Sequence, residues 1–177
     1  MQEKNHTADT DKSSRILAEV KKRREDSRII EVEEEKAELV IFRLGEDYYA
    51  FFGKDVKEIL PYEPVTFVPG CPEYIIGIIN VRGDIESVID IHLLMGLSAT
   101  GVTKKSRIII GSKESVRSGI LVDSVEDVIS VPVSSLKRPI STMDKAVKDF
   151  SLGGETIYEN RYVTILDMGK LFGKILQ

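Results

Sequence analysis

The sequence predicts an all-β protein made of two similar, packed barrels with a few short helices, and three observations carry that prediction. From Glu38 onward, short apolar segments alternate with turn residues at the spacing of an all-β domain. The second half of this stretch repeats the order of the first. Many short strands with few helices would leave exposed edges in an open sheet, and closure into barrels removes them.

The chain before this region has a different texture. Over half of residues 1–36 are charged, with the runs Lys21-Lys22-Arg23-Arg24 and Glu33-Glu34-Glu35-Lys36, and there is no Gly, Pro or aromatic residue. Such a segment cannot build a core. It is expected to be a disordered or partly helical extension, with Ser13 or Ser14 capping a helix that carries Ile16, Leu17 and Val20 on one face.

Residues 37–177 hold the β region, in approximate halves 37–98 and 105–177 whose edges are open to exchange. Leu39 to Leu44, Gly45-Glu46-Asp47 and Tyr48 to Phe52 read as a hairpin with Gly45 at positive φ. Four of the six prolines fall between Pro61 and Pro72, so that stretch is expected to be irregular, with short edge pieces. Tyr74 to Val81 and Ile85 to Ile91 form a second hairpin around Arg82-Gly83-Asp84. Leu93 to Leu97 makes one helical turn, and the polar bridge Ser98 to Lys105 separates the halves.

The repeat then runs through the same steps. Arg107 to Ile110, the polar turn Ser112 to Arg117, and Ser118 to Val122 mirror the opening hairpin, and Val125 to Ile129 echo Val56 to Leu60. At a constant offset, Val88-Ile89-Asp90-Ile91 and Leu94-Met95-Gly96 correspond to Ile165-Leu166-Asp167-Met168 and Leu171-Phe172-Gly173, and Gly77 corresponds to Gly154. Asp90 and Asp167 are tempting as paired carboxylates. Their equivalent places predict instead that each ends a strand and caps the helical turn after it.

Composition narrows function. The formal net charge of -4 removes the broad positive field that non-specific nucleic-acid binding needs. The single Cys71 cannot form an internal disulfide, and no charged start leads into an apolar leader, so a cytosolic protein is expected. No stretch approaches the roughly 20 apolar residues of a membrane span. No nucleophile, base and orienting group fall into a pattern that suggests catalysis, and no metal or cofactor is expected. His6 and His92 lack metal-ligand neighbours, and His92 reads as an ordinary surface or helix-start residue. Cys71 has no recognisable histidine partner. Gly169 to Lys174 is one residue short of a phosphate loop, with Ile175 in the place of the magnesium-binding hydroxyl.

One passage is specific. Pro69-Gly70-Cys71-Pro72-Glu73-Tyr74-Ile75-Ile76-Gly77-Ile78-Ile79-Asn80-Val81-Arg82-Gly83-Asp84-Ile85, continuing to Val88-Ile89-Asp90-Ile91, resembles the signature passage of CheW domains. Phe42-Arg43-Leu44-Gly45 with Tyr49-Ala50, Val56-x-Glu58-Ile59, Gly119-Ile120-Leu121-Val122-Asp123-x-Val125 and Ile165-Leu166-Asp167 with Leu171 extend the likeness, in order, over residues 38 to 173. It departs at Ser87, where many relatives have proline, at Phe51 to Lys54, and at Ser151 to Gly154.

The resemblance implies two packed five-stranded barrels of SH3-like type, without enzymatic activity, coupling chemoreceptor cytoplasmic tips to the regulatory domain of a CheA-type histidine kinase. It implies a cytoplasmic protein recruited to receptor arrays, with no membrane insertion and no nucleic acid. It also points to partner-binding residues: Asn80, Val81, Arg82 and Gly83 match the family's receptor-coupling motif, and Val56, Glu58 and Ile59 resemble positions near a partner surface. The residue pattern favours Arg82 in one respect, since a turn with Gly83 at positive φ would hold the guanidinium clear of both barrels. The alternative reading is a small β-barrel nucleic-acid-binding module. It lacks a basic, aromatic stripe.

Overall fold

Ten strands arrange into two five-stranded sheets whose connectivity is the same. The structure, a computed structural model, describes residues 34–136 and 145–176. The helix expected near Ser13 to Val20 lies outside the described residues.

The chain opens with the hairpin β1 (Lys36–Leu44) and β2 (Asp47–Phe52), whose two-residue turn places Gly45 at φ +62. Next come β3 (Val56–Pro61), β4 (Ile75–Val81), β5 (Asp84–Asp90) and the short helix α1 (Ile91–Met95). The repeat supplies β6 (Arg107–Lys113), β7 (Val116–Val122), β8 (Ser124–Pro132), helix α2 (Lys145–Phe150), β9 (Ser151–Tyr158), β10 (Arg161–Leu166) and helix α3 (Met168–Ile175).

The first sheet runs β8-β1-β2-β10-β9 and the second β3-β6-β7-β5-β4. Each therefore combines the opening hairpin of one half with three strands of the other. The joins are the antiparallel pairs β1 with β8 and β6 with β3 on one side of each hairpin, and on the other the parallel pairs β10 with β2, where Ile165 lies opposite Ala50, and β5 with β7, where Ile89 lies opposite Ile120.

Three apolar clusters follow from this exchange. Leu39, Ile41, Ala50, Val163 and Ile165 fill the first sheet's concave face, and Val81, Val88, Ile108, Ile110 and Leu121 fill the second's. The third and largest lies between the sheets, where Val40, Phe42 and Phe51 meet Ile89, Ile109, Ile120 and the helix residues Leu94, Leu171 and Phe172. Strand β1 reads as a continuous apolar run because it is buried on both faces, Leu39 and Ile41 on one and Val40 and Phe42 on the other. Phe51, one of the departures noted above, stacks on Phe42 with ring centroids 4.8 Å apart and is fully buried. Each fully buried side chain of this size contributes about 1.5–3 kcal/mol, so the interface binds the barrels into one body.

Neither barrel is closed by a continuous ladder; each is curled until its edges meet. In the second, the chain after β3 returns along β4, and Thr66 and Ile78 exchange backbone hydrogen bonds of 2.8 and 2.9 Å. Gly77 makes this approach possible. A Cβ there would lie 2.5 Å from the Thr66 carbonyl oxygen, and its φ of +154° also favours glycine. In the first barrel, Tyr158 of β9 lies close enough to Asp127 of β8, the strand at the opposite end of the sheet order, for that carboxylate to raise the phenol's pKa.

Both expected caps are present. Asp90 accepts hydrogen bonds from the His92 and Leu93 amides, and Asp167 from those of Gly169 and Lys170. Ser87, another departure, sits within hydroxyl contact of Ser118 at 2.7 Å, and Ser118 also donates to the Ser87 carbonyl.

Candidate functional site

The hairpin β4–β5 turns on two residues. Val81 pairs with Asp84, and Arg82 and Gly83 between them both take positive φ, 54° and 101°. Two such residues make a type I′ turn, whose twist matches that of the flanking strands. Asn80 fixes it, since its Oδ1 accepts the Gly83 amide at 2.8 Å. Val81 anchors it from below, 3% exposed in the second barrel's core.

This geometry carries the Arg82 side chain into solvent, 82% exposed, while its Nη2 donates to Glu58 Oε1 at 2.7 Å. Glu58 comes from β3, at the other end of the sheet order. The ion pair thus bridges the barrel edges, one turn of chain away from the Thr66–Ile78 exchange. Beside it is a cavity of about 210 Å³, bordered by Glu58, Leu60, Glu63, Ile79, Asn80 and Arg82. An exposed pair of this kind is worth about 0–1 kcal/mol, so it orients Arg82 more than it stabilises the fold. Behind it, Arg117 of β7 holds the hairpin's carboxylates, with Nε 3.1 Å from buried Glu86 and Nη1 3.5 Å from Asp84.

Of the residues singled out by sequence, Glu58, Asn80, Val81 and Arg82 border this cavity, and Gly83 shapes the turn above it. Val56 and Ile59 are elsewhere. Val56 packs against the core between the sheets, and Ile59, 36% exposed, follows Glu58 directly and so points to the opposite face of β3.

A second polar cluster was not legible in the sequence. His92 does begin α1, but it is 5% exposed, which corrects the expectation of an ordinary surface residue. Its Nε2 lies 2.9 Å from Asp123 Oδ1. That same oxygen accepts the Thr100 hydroxyl at 2.8 Å, and Oδ2 accepts the Gly45 amide at 2.6 Å. Burial pushes the Asp123 pKa upward, but the Gly45 amide, the Thr100 hydroxyl and His92 together hold it below the ordinary aspartate range. The only signal in sequence was Asp123's place after the apolar run Gly119 to Val122.

The equivalent turn of the other barrel, β9–β10, also has two residues at positive φ, Glu159 at 47° and Asn160 at 61°. Here desolvation and the neighbouring carboxylates Glu159, Asp127 and Glu126 push the Tyr158 phenol above its ordinary range. Arg161 lies over the Tyr48 ring at 5.3 Å. Cys71 is exposed, and among the described residues no group of three or more His, Cys, Asp or Glu side chains is placed to hold a metal ion. No described helix is long and apolar enough to cross a membrane.

The model of the CheW-like domain family matches residues 38–176. The chain is 33% identical over 138 residues to the chemotaxis protein CheW of Bacillus subtilis, a match covering 77% of this chain and 86% of that protein. It is 28% identical over 135 residues to the chemotaxis protein CheW of Rhizobium meliloti, covering 76% and 86%. The crystal structure of the scaffolding protein TtCheW from Thermoanaerobacter tengcongensis superposes with a TM-score of 0.69 at 33% identity, covering 78% of this chain and 93% of that one.

Proposed function

The chain belongs to the CheW-like domain family, and from that premise we propose that it is a non-catalytic adaptor coupling methyl-accepting chemoreceptors to a CheA-type histidine kinase. The observation that carries this reading is the Arg82 turn. Two stretches of the family likeness that are distant in sequence, Val56 to Ile59 and Asn80 to Gly83, supply an ion pair at one barrel edge, with the guanidinium 82% exposed. A rigid turn presenting a solvated arginine is suited to a carboxylate or carbonyl on a partner, which would compete with Glu58 for it. Ile59, on the outer face of β3, offers a separate apolar contact, and Val56 supports that strand from the core.

Such an adaptor works by fixing the geometry of its partners. Modest individual affinities suffice, because receptor and kinase held in one cytoplasmic array raise each other's effective concentration. The test is binding of the receptor cytoplasmic tip and of the kinase regulatory domain to the parent chain and to Arg82→Ala, by titration calorimetry. The variant is expected to bind the receptor tip roughly tenfold more weakly, equivalent to about 1.4 kcal/mol, with kinase binding and melting temperature unchanged. Undiminished receptor binding by the folded variant would remove Arg82 from the interface.

A further inference from the structure

We propose that Asp123 is a positioning residue that latches the two barrels at a fixed angle by holding the β1–β2 turn against the end of β7. The apolar core between the sheets is large but non-directional, so it resists separation better than rotation or sliding. A carboxylate with three donors is directional.

Asp123 is the single residue between β7 of the second sheet and β8 of the first, and Ser124 after it pairs with Arg43. Its side chain accepts the amide of Gly45, which lies in the turn of the first sheet's central hairpin, and its own amide donates to the Arg43 carbonyl at 3.2 Å. The β1 side of the turn is thereby tied to the residue at which the chain crosses from the second sheet to the first, and His92 ties that same residue to α1, which follows β5 of the second. Gly45 takes φ +62, and a Cβ there would meet nothing within 4 Å, so the turn's conformation and not crowding selects glycine. Arg43 reinforces the turn by donating from Nη2 to the Gly45 carbonyl at 2.9 Å.

The other two donors orient the carboxylate. The Thr100 hydroxyl comes from the connection between the halves. His92 approaches from α1. An ionised Asp123 can only accept, so the His92 ring must present Nε2–H to it, and Nδ1 is the ring nitrogen that remains. That atom is buried without a hydrogen-bond partner in the structure. Leaving it so is the cost of aiming Nε2 at Asp123, and the low Asp123 pKa accords with an acceptor that is ionised and held by donors.

The consequence for partners rests on the adaptor reading above: if receptor and kinase touch different parts of the molecule, the latch sets their relative placement without touching either. Spin-label distances test the latch itself. The native Cys71, exposed on the second barrel's proline loop, serves as one label, and Val128→Cys, an exposed site on β8 of the first, as the other. The full chain should give one narrow distance distribution. Asp123→Asn, which sets an amide NH₂ against at least one donor, is expected to double its width at least, and His92→Phe to broaden it less. His92→Gln, which keeps a donor near the Nε2 position, should restore the narrow form. A control pair within one barrel, Cys71 with Lys57→Cys, should stay narrow throughout.

An unchanged Cys71–Val128 distribution in folded Asp123→Asn would overturn the latch, as would equal broadening of the control pair, which would mark general loosening. Binding separates the two readings. With the latch broken, each partner alone should bind within about twofold of parent while the ternary complex weakens roughly tenfold. A ternary complex of parent strength would overturn the positioning role. Failure of the parent chain to bind either partner would instead overturn the adaptor reading and leave the distance result standing.

Discussion

The β4–β5 and β9–β10 hairpins occupy the same place in the two sheets and share a backbone, yet the charges at their apices stand in reversed order. Each turns on two residues at positive φ, each has one strand running parallel to the other half's opening hairpin, and each leads to an aspartate that caps a helix. At the apex, however, Arg82 corresponds to Glu159 and Asp84 to Arg161, while Ile85 and Tyr162 stand equally exposed beside them, at 63% and 62%. The closing contact differs too. In one barrel the apex itself reaches β3 through Arg82 and Glu58; in the other the residue before the apex, Tyr158, reaches Asp127. What both barrels need is the turn and some polar tie across the edges, so the order of charges at the apex is free of the fold and is available for choosing a partner.

The sharpest way to break this equivalence is at its glycines. Gly77 and Gly154 correspond in sequence, but a Cβ at Gly77 would sit 2.5 Å from the Thr66 carbonyl oxygen, a backbone atom that cannot swing aside. At Gly154 the nearest atom is the Ile165 Cδ1 at 3.4 Å, the end of a flexible side chain. Gly77→Ala is therefore expected to cost about 3 kcal/mol and to open the Thr66–Ile78 exchange. Gly154→Ala is expected to cost less than about 1 kcal/mol. Urea denaturation of the two variants checks this, and equal losses would show that the Thr66 return strand is not what demands glycine.

Caps give a smaller effect. Removing the side-chain acceptor at Asp167→Ala should cost about 1 kcal/mol, a usual value for a lost N-cap. Asp90→Ala should cost more, up to about 2 kcal/mol, because α1 also carries His92 into its contact with Asp123. The same denaturation measurement applies. If Asp167 proves the costlier cap, the coupling between α1 and the Asp123 cluster is absent.

What could be read from the sequence divides along the same physical line as these predictions. Hairpins, caps and the Asn80–Gly83 turn are local: alternation, turn residues and an Asx-type acceptor fix them within a few positions. The exchange of hairpins between halves is not local. Each half repeats the same strand pattern, so nothing in β1 or β6 states which set of three strands it joins; the long-range pairings of β8 with β1, β10 with β2, β3 with β6 and β5 with β7 decide it. The candidate site divides similarly. Glu58 and Arg82 converge because the barrel curls, which strand periodicity does not show. Ile59 cannot share their face, since it is adjacent to Glu58 in an extended strand. His92 gave no signal because its partner Asp123 lies 31 residues further on, between β7 and β8, and a lone histidine beside apolar residues reads as a helix start.

The finest comparison is between the two apices as backbone. An L-residue in the left-handed region costs about 1 kcal/mol relative to glycine, and Arg82 and Glu159 both sit there, at 54° and 47°. Arg82→Gly relieves that strain but loses the Glu58 ion pair, worth at most about 1 kcal/mol when so exposed, and adds freedom to the unfolded chain. Its melting temperature should stay within about 3 °C of parent. Glu159→Gly relieves the same strain, loses no attractive partner that closes the barrel, and withdraws a carboxylate from Glu126 and Asp127, so its melting temperature should rise further than that of Arg82→Gly. Because Glu159 is among the charges that hold the Tyr158 phenol above its ordinary range, the phenol's titration, followed by ultraviolet absorbance, should also move down in this variant. A fall of many degrees in Arg82→Gly would mean that the Glu58 pair is structural, and the charge at that apex would then be committed to the fold and not free for a partner.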